Sequence, residues 1–389
     1  MNTDKHEVLV LGDGDFSYST SLISSSSKCS LTSTVFLSKE EILSTYGNDV
    51  LKNIQLLEDS DVKILFSIDA TNLPPLLCSR QYDSIHFNFP HTGGKGKISE
   101  NRKLLIGLFN SLQKVVKDTG NVEVALLPGQ GGTQADGQAL RSKGNNWNIQ
   151  EAAATSGFIL YSVEHFGADF YNLTGYRGRS KAFFCDSGLR HKFKVQPFKS
   201  SSLTEALKSA QPYSYIQKYL NDYSLSSQSL SYRCSNNLGN FDELFSIYVD
   251  TNENEYMRSS KRAKIEHQEA VDTHILKHAG LQSKKLIFYP ANQTKVLYPP
   301  FIKHDVSMWT TSADSPNIVP VLLECVGLAL HQVTKREPEP FFSPKTEKYS
   351  HCFSITYSHP FEALSEQYVK YLAHVTVRDC LARSGFDLH

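Results

Sequence analysis

Between Glu7 and Gly129 apolar runs alternate with longer mixed stretches, and each run ends in a polar or glycine-bearing turn. This alternation constrains the fold more than any other feature. "EVLVLG" comes first, then "TSTVFL" (Thr32–Leu37), "KILFSIDAT" (Lys63–Thr71), "DSIHFNFPH" (Asp83–His91) and "NVEVALLPG" (Asn121–Gly129). Short, nearly continuous apolar runs read as strands buried on both faces, as in a parallel sheet whose crossovers are helices. Between the fourth and fifth runs, Leu104, Leu105, Leu108, Phe109, Leu112 and Val115 recur at helical spacing, with Ser99 as N-cap and Gly120 as terminator. A short helix "NIQEAAATSG" (Asn148–Gly157) and a strand "FILYSVEHF" extend the pattern. The expected class is α/β, a Rossmann-like sheet with helices on both faces.

From about Leu203 to Leu281 the pattern dissolves into a stretch rich in Ser, Tyr and Asn. An acidic cluster (Asp242, Glu243, Asp250, Glu253, Glu255) precedes the basic "RSSKRAK" (Arg258–Lys264), which reads as a solvated linker segment. Order returns after "LIFYPANQTKVLYPPFIKHDVSMW". A helix (Asn317–Leu330), a strand ("HQVTKREPEPFF"), a second strand ("HCFSITYS") and a long helix from Leu364 to Arg383 follow. That order predicts an α+β, ferredoxin-like domain. The expected division is residues 1–195, an irregular, partly disordered connector over 196–295, and residues 296–389.

Forty basic and forty acidic side chains give a formal net charge of +0, so a nucleic-acid surface must be a local patch. The seven cysteines are scattered without a CxxC pair, which predicts reduced thiols and no metal site. A first strand beginning near Glu7 leaves no room for a signal or transit peptide, and no run approaches the roughly 20 apolar residues of a membrane span. The expected compartment is the cytosol, or the nucleolus by way of an RNA partner; neither membrane nor DNA is expected as a partner.

"GDGDFS" follows the first strand, and two glycines there let backbone approach a ligand closely. Alone it is equally a structural turn. Its companions are "IDAT", which ends the third run in Asp69, and "FNFPHTGGK", which ends the fourth in Asn88, Phe89, Pro90 and His91. An amide, an aryl face and a rigid turn at one strand end suit the holding of a flat base. Carboxyl ends of parallel strands are also where open sheets bind ligands.

Together "LGDGDFSYS", "IDAT", "YDSIHFNFPHTGGK", "ENRKLL" and "NNWNIQEAA" resemble the S-adenosylmethionine-dependent domain of ribosomal RNA uridine-N3 methyltransferases, from about Glu7 to Phe184. The resemblance implies a class I methyltransferase fold and S-adenosyl-L-methionine as cofactor. Gly12, Asp13, Gly14 and Phe16 would shape the methionine and ribose pocket, and Asp69 would lie by the adenine. Asn88, Phe89, Pro90 and His91 would line the catalytic edge, with His91 either taking the N3 proton or bonding the glycine loop. Leu37 stands where the family has an aspartate, with Glu40 or Glu41 as substitutes. The basic excess around Arg177, Arg179, Lys181, Arg190, Lys192 and Lys194 would track RNA backbone.

Residues Val296–His389 resemble the ferredoxin-fold anticodon-binding domain that ends phenylalanyl-tRNA synthetases, through "YPPFIKHDVSMW", "SHCFSITYS" and "VRDCLARSGFDLH". This implies an RNA partner, tRNA or rRNA, with Lys303, Arg336, Lys345, Lys348, Tyr349 and Arg378 as candidate contacts. The connector is too short for an aminoacylation core. Two readings follow: an rRNA uridine-N3 methyltransferase with an RNA-binding tail, or a catalytically inactive RNA-binding scaffold.

Overall fold

The computed structural model describes residues 5–25, 29–92, 97–167, 187–196, 231–234, 247–250, 294–326, 329–359 and 362–389. The chain divides into two compact units, Met1–Pro197 with Thr294–Tyr298, and Phe198–Gln293 with Pro299–His389. Of the expected connector, the described part is residue 196, residues 294–295 and two strands, β8 (Ser231–Cys234) and β9 (Ile247–Asp250), paired antiparallel. The rest of it lies outside the described residues. Among the described residues no helix is long and apolar enough to cross a membrane.

The first unit runs β1 (His6–Leu11), α1 (Ser17–Ser25), β2 (Cys29–Thr34), α2 (Lys39–Tyr46), α3 (Asp49–Asp59), β3 (Lys63–Leu65), α4 (Pro75–Cys78) and β4 (Tyr82–Asn88). It continues with α5 (Ile98–Leu112), β5 (Val116–Leu126), α6 (Ile149–Ala154), β6 (Phe158–His165) and β7 (Leu189–Val195). The strands form one sheet in the order β3-β2-β1-β4-β5-β7-β6. β1 to β5 are parallel, and β7 runs antiparallel between β5 and β6. β1 explains why the apolar runs are continuous. Its Leu9 and Leu11 enter the core that includes Leu105, Leu108 and Phe109 of α5, while Val8 and Val10 enter the core built with Ile42, Val50 and Ile54 of α2 and α3. Both faces are covered, so each successive side chain is buried, contributing roughly 1.5–3 kcal/mol per large aliphatic residue.

Three elements differ from expectation: first, β2 covers Cys29–Thr34 instead of Thr32–Leu37, so Leu37 lies beyond the strand. The helix expected between the fourth and fifth runs, α5, stops at Leu112 instead of running to Gly120, and its N-cap is Lys97, without a side-chain cap, instead of Ser99. β-branched Val115 and Val116 are fully buried, and Tyr82 N donates to Val115 O at 2.7 Å, so this segment joins the sheet. Gly120 then sits within β5 at a break in register, where a Cβ would meet Tyr82 O at 2.8 Å. The third run is a strand only over Lys63–Leu65. Ser67 takes φ +56, which ends the pleat and carries Asp69 out of the ladder.

The second unit contains β10 (Ile302–Thr310), α7 (Val319–Val326), β11 (Leu330–Lys335), β12 (Phe341–Ser343), β13 (Lys348–Tyr357), α8 (Glu366–Arg383) and β14 (Asp387–Leu388). The helix α8 includes a π-helical turn over Leu372–Val377. The order is β11-β13-β10-β14, every neighbour antiparallel, with β12 hairpinned to β13. Pro338 and Pro340 cannot donate to a ladder, which is why the expected single strand "HQVTKREPEPFF" divides into β11 and β12. Val306, Met308, Phe353, Ile355 and Tyr357 pack beneath the helices. Lys303, Asp305, Ser307 and Trp309 alternate with these positions on the opposite face.

A candidate cofactor and base-binding cavity

Strand order reverses between β1 and β4, and a doubly wound sheet opens a crevice there at its carboxyl edge. A cavity of about 1020 Å³ occupies this place. It brings together Gly12, Asp13, Gly14, Leu37, Asp69, Asn88, Phe89, Pro90 and His91 from four separate stretches of sequence. Phe16 does not join them. It is fully buried at φ +62 beneath the turn, its ring edge-on to Phe66 at 5.8 Å, so it supports the turn without forming cavity wall.

The glycine turn is bolted to α1. Asp13 Oδ2 accepts from Ser19 N at 2.7 Å and Ser19 Oγ at 2.6 Å, and Asp13 N donates to Thr34 O at 2.9 Å. Burial nevertheless pushes the Asp13 carboxyl up to about 7, against those hydrogen bonds. Asp13 therefore anchors the turn even where it reaches the cavity. Asp15 Oδ1 accepts from Ser17 N at 3.0 Å at the start of α1, and burial raises this carboxyl too. Gly12 adopts φ +62, and a Cβ there would lie 2.7 Å from Phe87 Cε2. At Gly14 a Cβ would lie 2.5 Å from the Tyr46 hydroxyl.

The wall beside β2 is apolar: Val35, Phe36, Leu37 and Ile68 face the cavity. Neither Glu40 nor Glu41 makes up for Leu37, because neither lines it. Glu41 closes the capping box of α2, accepting from Ser38 N at 2.8 Å while its own N donates to Ser38 Oγ. Asp69 is exposed at the rim, and its Oδ1 accepts from Thr71 N at 2.8 Å and Thr71 Oγ1 at 2.7 Å. Phe89 holds φ +48, a conformation that costs an ordinary L-residue about 1–2 kcal/mol and is held here by packing. Its ring is edge-on to the buried Phe166 at 4.9 Å. Pro90 is buried and His91 exposed.

Sequence reasoning missed several wall residues. Tyr46 arrives from the end of α2, Glu100 and Lys103 from the first turns of α5, and Gln130 and Trp147 from the glycine-rich loop after β5. That loop is rigidly built. Asp136 accepts from Gly129 N and Gly132 N, each at 2.8 Å, and the Arg102 guanidinium holds Asn146 O. The signal available was position, since each follows a strand's carboxyl end.

Arg177, Arg179 and Lys181 lie outside the described residues. The remainder of that basic stretch is β7 and is compensated. Arg190 Nε is 3.5 Å from Glu123 Oε2, Lys192 Nζ is 2.8 Å from Glu164 Oε2, and Lys194 lies over the Tyr161 ring at 5.3 Å. In the second unit Arg336 pairs with Asp305, and Lys348 Nζ is 2.7 Å from Asp387 Oδ2. Lys303 and Lys345 are exposed, Arg378 is half-buried on α8, and the Tyr349 ring packs tilted against Phe342 with centroids 4.9 Å apart.

Residues 9–180 match the family described as rRNA (uridine-N3-)-methyltransferase BTM5-like, BMT5-like. The mouse "Ferredoxin-fold anticodon-binding domain-containing protein 1 homolog" is 36% identical over 201 residues, 50% of this chain and 32% of that protein. Its human counterpart is 35% identical over 203 residues, with the same coverage. The matches thus span about a third of these curated relatives' own length. Among solved structures, a 30S ribosomal A1408 methyltransferase from an uncultured bacterium is 15% identical, covering 49% of this chain and 88% of its own, at a TM-score of 0.34, too low to bear on function. The chain is a homologue of ferredoxin-fold anticodon-binding domain-containing protein 1 over half its length, and its N-terminal half carries a BMT5-like domain of Rossmann-like methyltransferase fold.

Proposed function

We propose that the first unit binds S-adenosylmethionine in the cavity and methylates N3 of a uridine in ribosomal RNA, with the second unit gripping RNA. On this reading residues 1–195 are the methyltransferase domain, 196–295 the connector, and 296–389 a ferredoxin-like module of the anticodon-binding type. The observation that carries it is the convergence of the glycine turn, Asp69 and the Asn88–His91 ledge on one cavity within a BMT5-like domain. The sheet order β11-β13-β10-β14, with a helix after β10 and another after β13, supports the ferredoxin-like assignment.

The residues present fit the cofactor. The volume matches the upper range of ligand sites, about 300–1,000 Å³. Side chains at Gly12 or Gly14 would collide with Phe87 or Tyr46 and close the turn. Asn88 Nδ2 is buried without a hydrogen-bond partner among the described residues, so the protein leaves that amide incompletely satisfied. When bound, S-adenosylmethionine supplies an electrophilic methyl group on a sulfonium. The backbone at Gly12–Gly14 would hold its methionine and ribose end, and Asp69 would lie by the adenine. Phe36, exposed on the apolar wall, offers a face for stacking.

The remaining chemistry belongs to the chain. A uridine must be unstacked to enter, and Asn88 orients its edge while Phe89 packs against its face. Pro90 keeps the ledge rigid. His91, exposed at the cavity, accepts the N3 proton. One observation favours the scaffold reading: Leu37 presents no acceptor to ribose hydroxyls, a loss of about 1.5–3 kcal/mol if uncompensated. The test is transfer from tritiated S-adenosylmethionine to unmodified large-subunit rRNA, followed by digestion to nucleosides. Label in 3-methyluridine is expected. Label in another nucleoside refutes the site specificity, and RNA binding without label supports the scaffold.

A further inference from the structure

The loop after β5 carries a side chain that has no part in the proposed reaction. Gln130 is half-buried and lines the cavity, together with Leu127 and Trp147. Its Oε1 accepts from Leu127 N at 2.9 Å. A backbone N–H can only donate, so the atom facing it is the carbonyl oxygen and the two ends of the amide cannot be exchanged. Nε2 meets no acceptor among the described residues. A carboxamide of fixed sense thus stands at the cavity wall with its donor end unspent. The loop holds it there. Gln130 N donates to Leu127 O at 3.0 Å, and Gln130 O accepts from Trp147 N at 2.7 Å. On either side Gly129 and Gly132 take φ +79 and +73, and Asp136 accepts from both of their N–H groups.

Strand order separates this donor from the glycine turn. Along β2-β1-β4-β5 the glycine turn follows β1 and Leu37 lies beyond β2, whereas Gln130 follows β5, on the far side of the Asn88–His91 ledge. Phe89 N donates to Ala125 O at 2.9 Å, which ties the ledge to the end of β5. A cofactor held by the β1 and β2 ends leaves the β5 side for the base. We infer that Gln130 reads the target base, its Nε2 donating to an exocyclic carbonyl oxygen beside N3 of uridine. This role deepens the methyltransferase reading of the site and rests on it. Uridine carries such acceptors, O2 and O4, on both sides of N3–H. When N3 gives up its proton, negative charge spreads onto both oxygens, so a fixed donor there stabilises the form that attacks. Cytosine has an amino group in place of O4, and a donor would meet a donor.

The test uses the full chain. Affinity for S-adenosylhomocysteine is measured by calorimetry, and single-turnover transfer from tritiated S-adenosylmethionine is measured on transcribed large-subunit rRNA. Gln130→Glu keeps an oxygen for Leu127 N and exchanges the donor for an acceptor. It should slow transfer by about 10–100-fold, the scale of one lost hydrogen bond to a charged group, and leave S-adenosylhomocysteine affinity unchanged. Placing 2-thiouridine or 4-thiouridine at the methylated position, located first by mapping the label, weakens one acceptor at a time. On one of these two RNAs Gln130→Met should cost much less than on uridine, because the contact is already lost, and that RNA identifies the oxygen. An unchanged rate in Gln130→Glu, equal losses for Gln130→Met on all three RNAs, or a parallel loss of S-adenosylhomocysteine affinity would each overturn the inference. Should neither variant fold, wild-type protein decides: slowing by at least one thio substitution supports the contact, and slowing by neither refutes it. Wild-type protein that binds S-adenosylhomocysteine yet labels no rRNA defeats the methyltransferase reading, and this role with it.

Discussion

Gly12 and Gly14 stand two residues apart, yet alanine should affect them very differently. At Gly12 an L-residue must hold φ +62, a left-handed conformation worth about 1–2 kcal/mol of strain. Its Cβ would also lie 2.7 Å from Phe87 Cε2, in a ring that is 7% exposed and packed in the main core. Moving such a ring costs about 1–3 kcal/mol, so Gly12→Ala should destabilise the first unit by about 2–5 kcal/mol. Gly14 has no positive φ, and its Cβ meets the outer end of Tyr46, a side chain that can swing away. Gly14→Ala should cost less than about 1.5 kcal/mol, the scale of a displaced rotamer. Trp147, in the first unit, reports its unfolding once Trp309, the other tryptophan of two, is replaced by Phe. With a urea slope of about 2 kcal/mol/M, the Gly12 variant should lose about 1–2.5 M of midpoint at unchanged slope. A Gly14→Ala loss equal to or larger than that of Gly12→Ala would refute the description of the turn.

Asp13, His86 and His191 set a pH signature, with burial holding the carboxyl up to about 7 and the imidazoles down to about 3 and about 4. Between about pH 4.5 and 6 the folded state holds the Asp13 proton that the unfolded chain lacks, so this group lowers stability as pH rises. The histidines act in the opposite sense, since the unfolded chain protonates them. Asp13→Asn should therefore steepen the rise of stability with pH by about 1.4 kcal/mol per pH unit in that window, and an unchanged slope in denaturation at several pH values would contradict the buried, protonated carboxyl. Ser38→Ala removes the capping box that starts α2, the helix ending in Tyr46, and should lower thermal stability by about 1 kcal/mol; a neutral change would show the cap to be idle. Because Arg336 and Lys348 are already paired with Asp305 and Asp387, Lys303→Ala and Lys345→Ala should each lower the salt slope of RNA binding by about 1, more than Arg336→Ala or Lys348→Ala. The reverse ranking in filter binding would remove the second unit's open face as the contact.

What could be read from sequence was whatever depends on local pattern. Leu9 and Leu11 facing one core and Val8 and Val10 the other is the physical content of a continuous apolar run, so the parallel sheet was legible. The ledge residues were legible because strand ends in this topology converge. Boundaries were not: Val115 and Val116 continue a helical spacing, and only the pairing of Val116 with Tyr82, beside the bond from Tyr82 N to Val115 O, shows that β5 starts there. The family resemblance put Phe16 in the pocket, yet its left-handed backbone turns it inward against Phe66. The capture of Glu41 by a helix cap and of Arg190 and Lys192 by Glu123 and Glu164 are pairings between side chains, and no spacing rule reveals them.

Calorimetric titration of the full chain with S-adenosylmethionine bears most directly on the central claim. The account predicts saturable heat with one site per chain, lost in Gly14→Val while circular dichroism shows the fold intact. A folded protein that takes up no cofactor at millimolar concentration would contradict it.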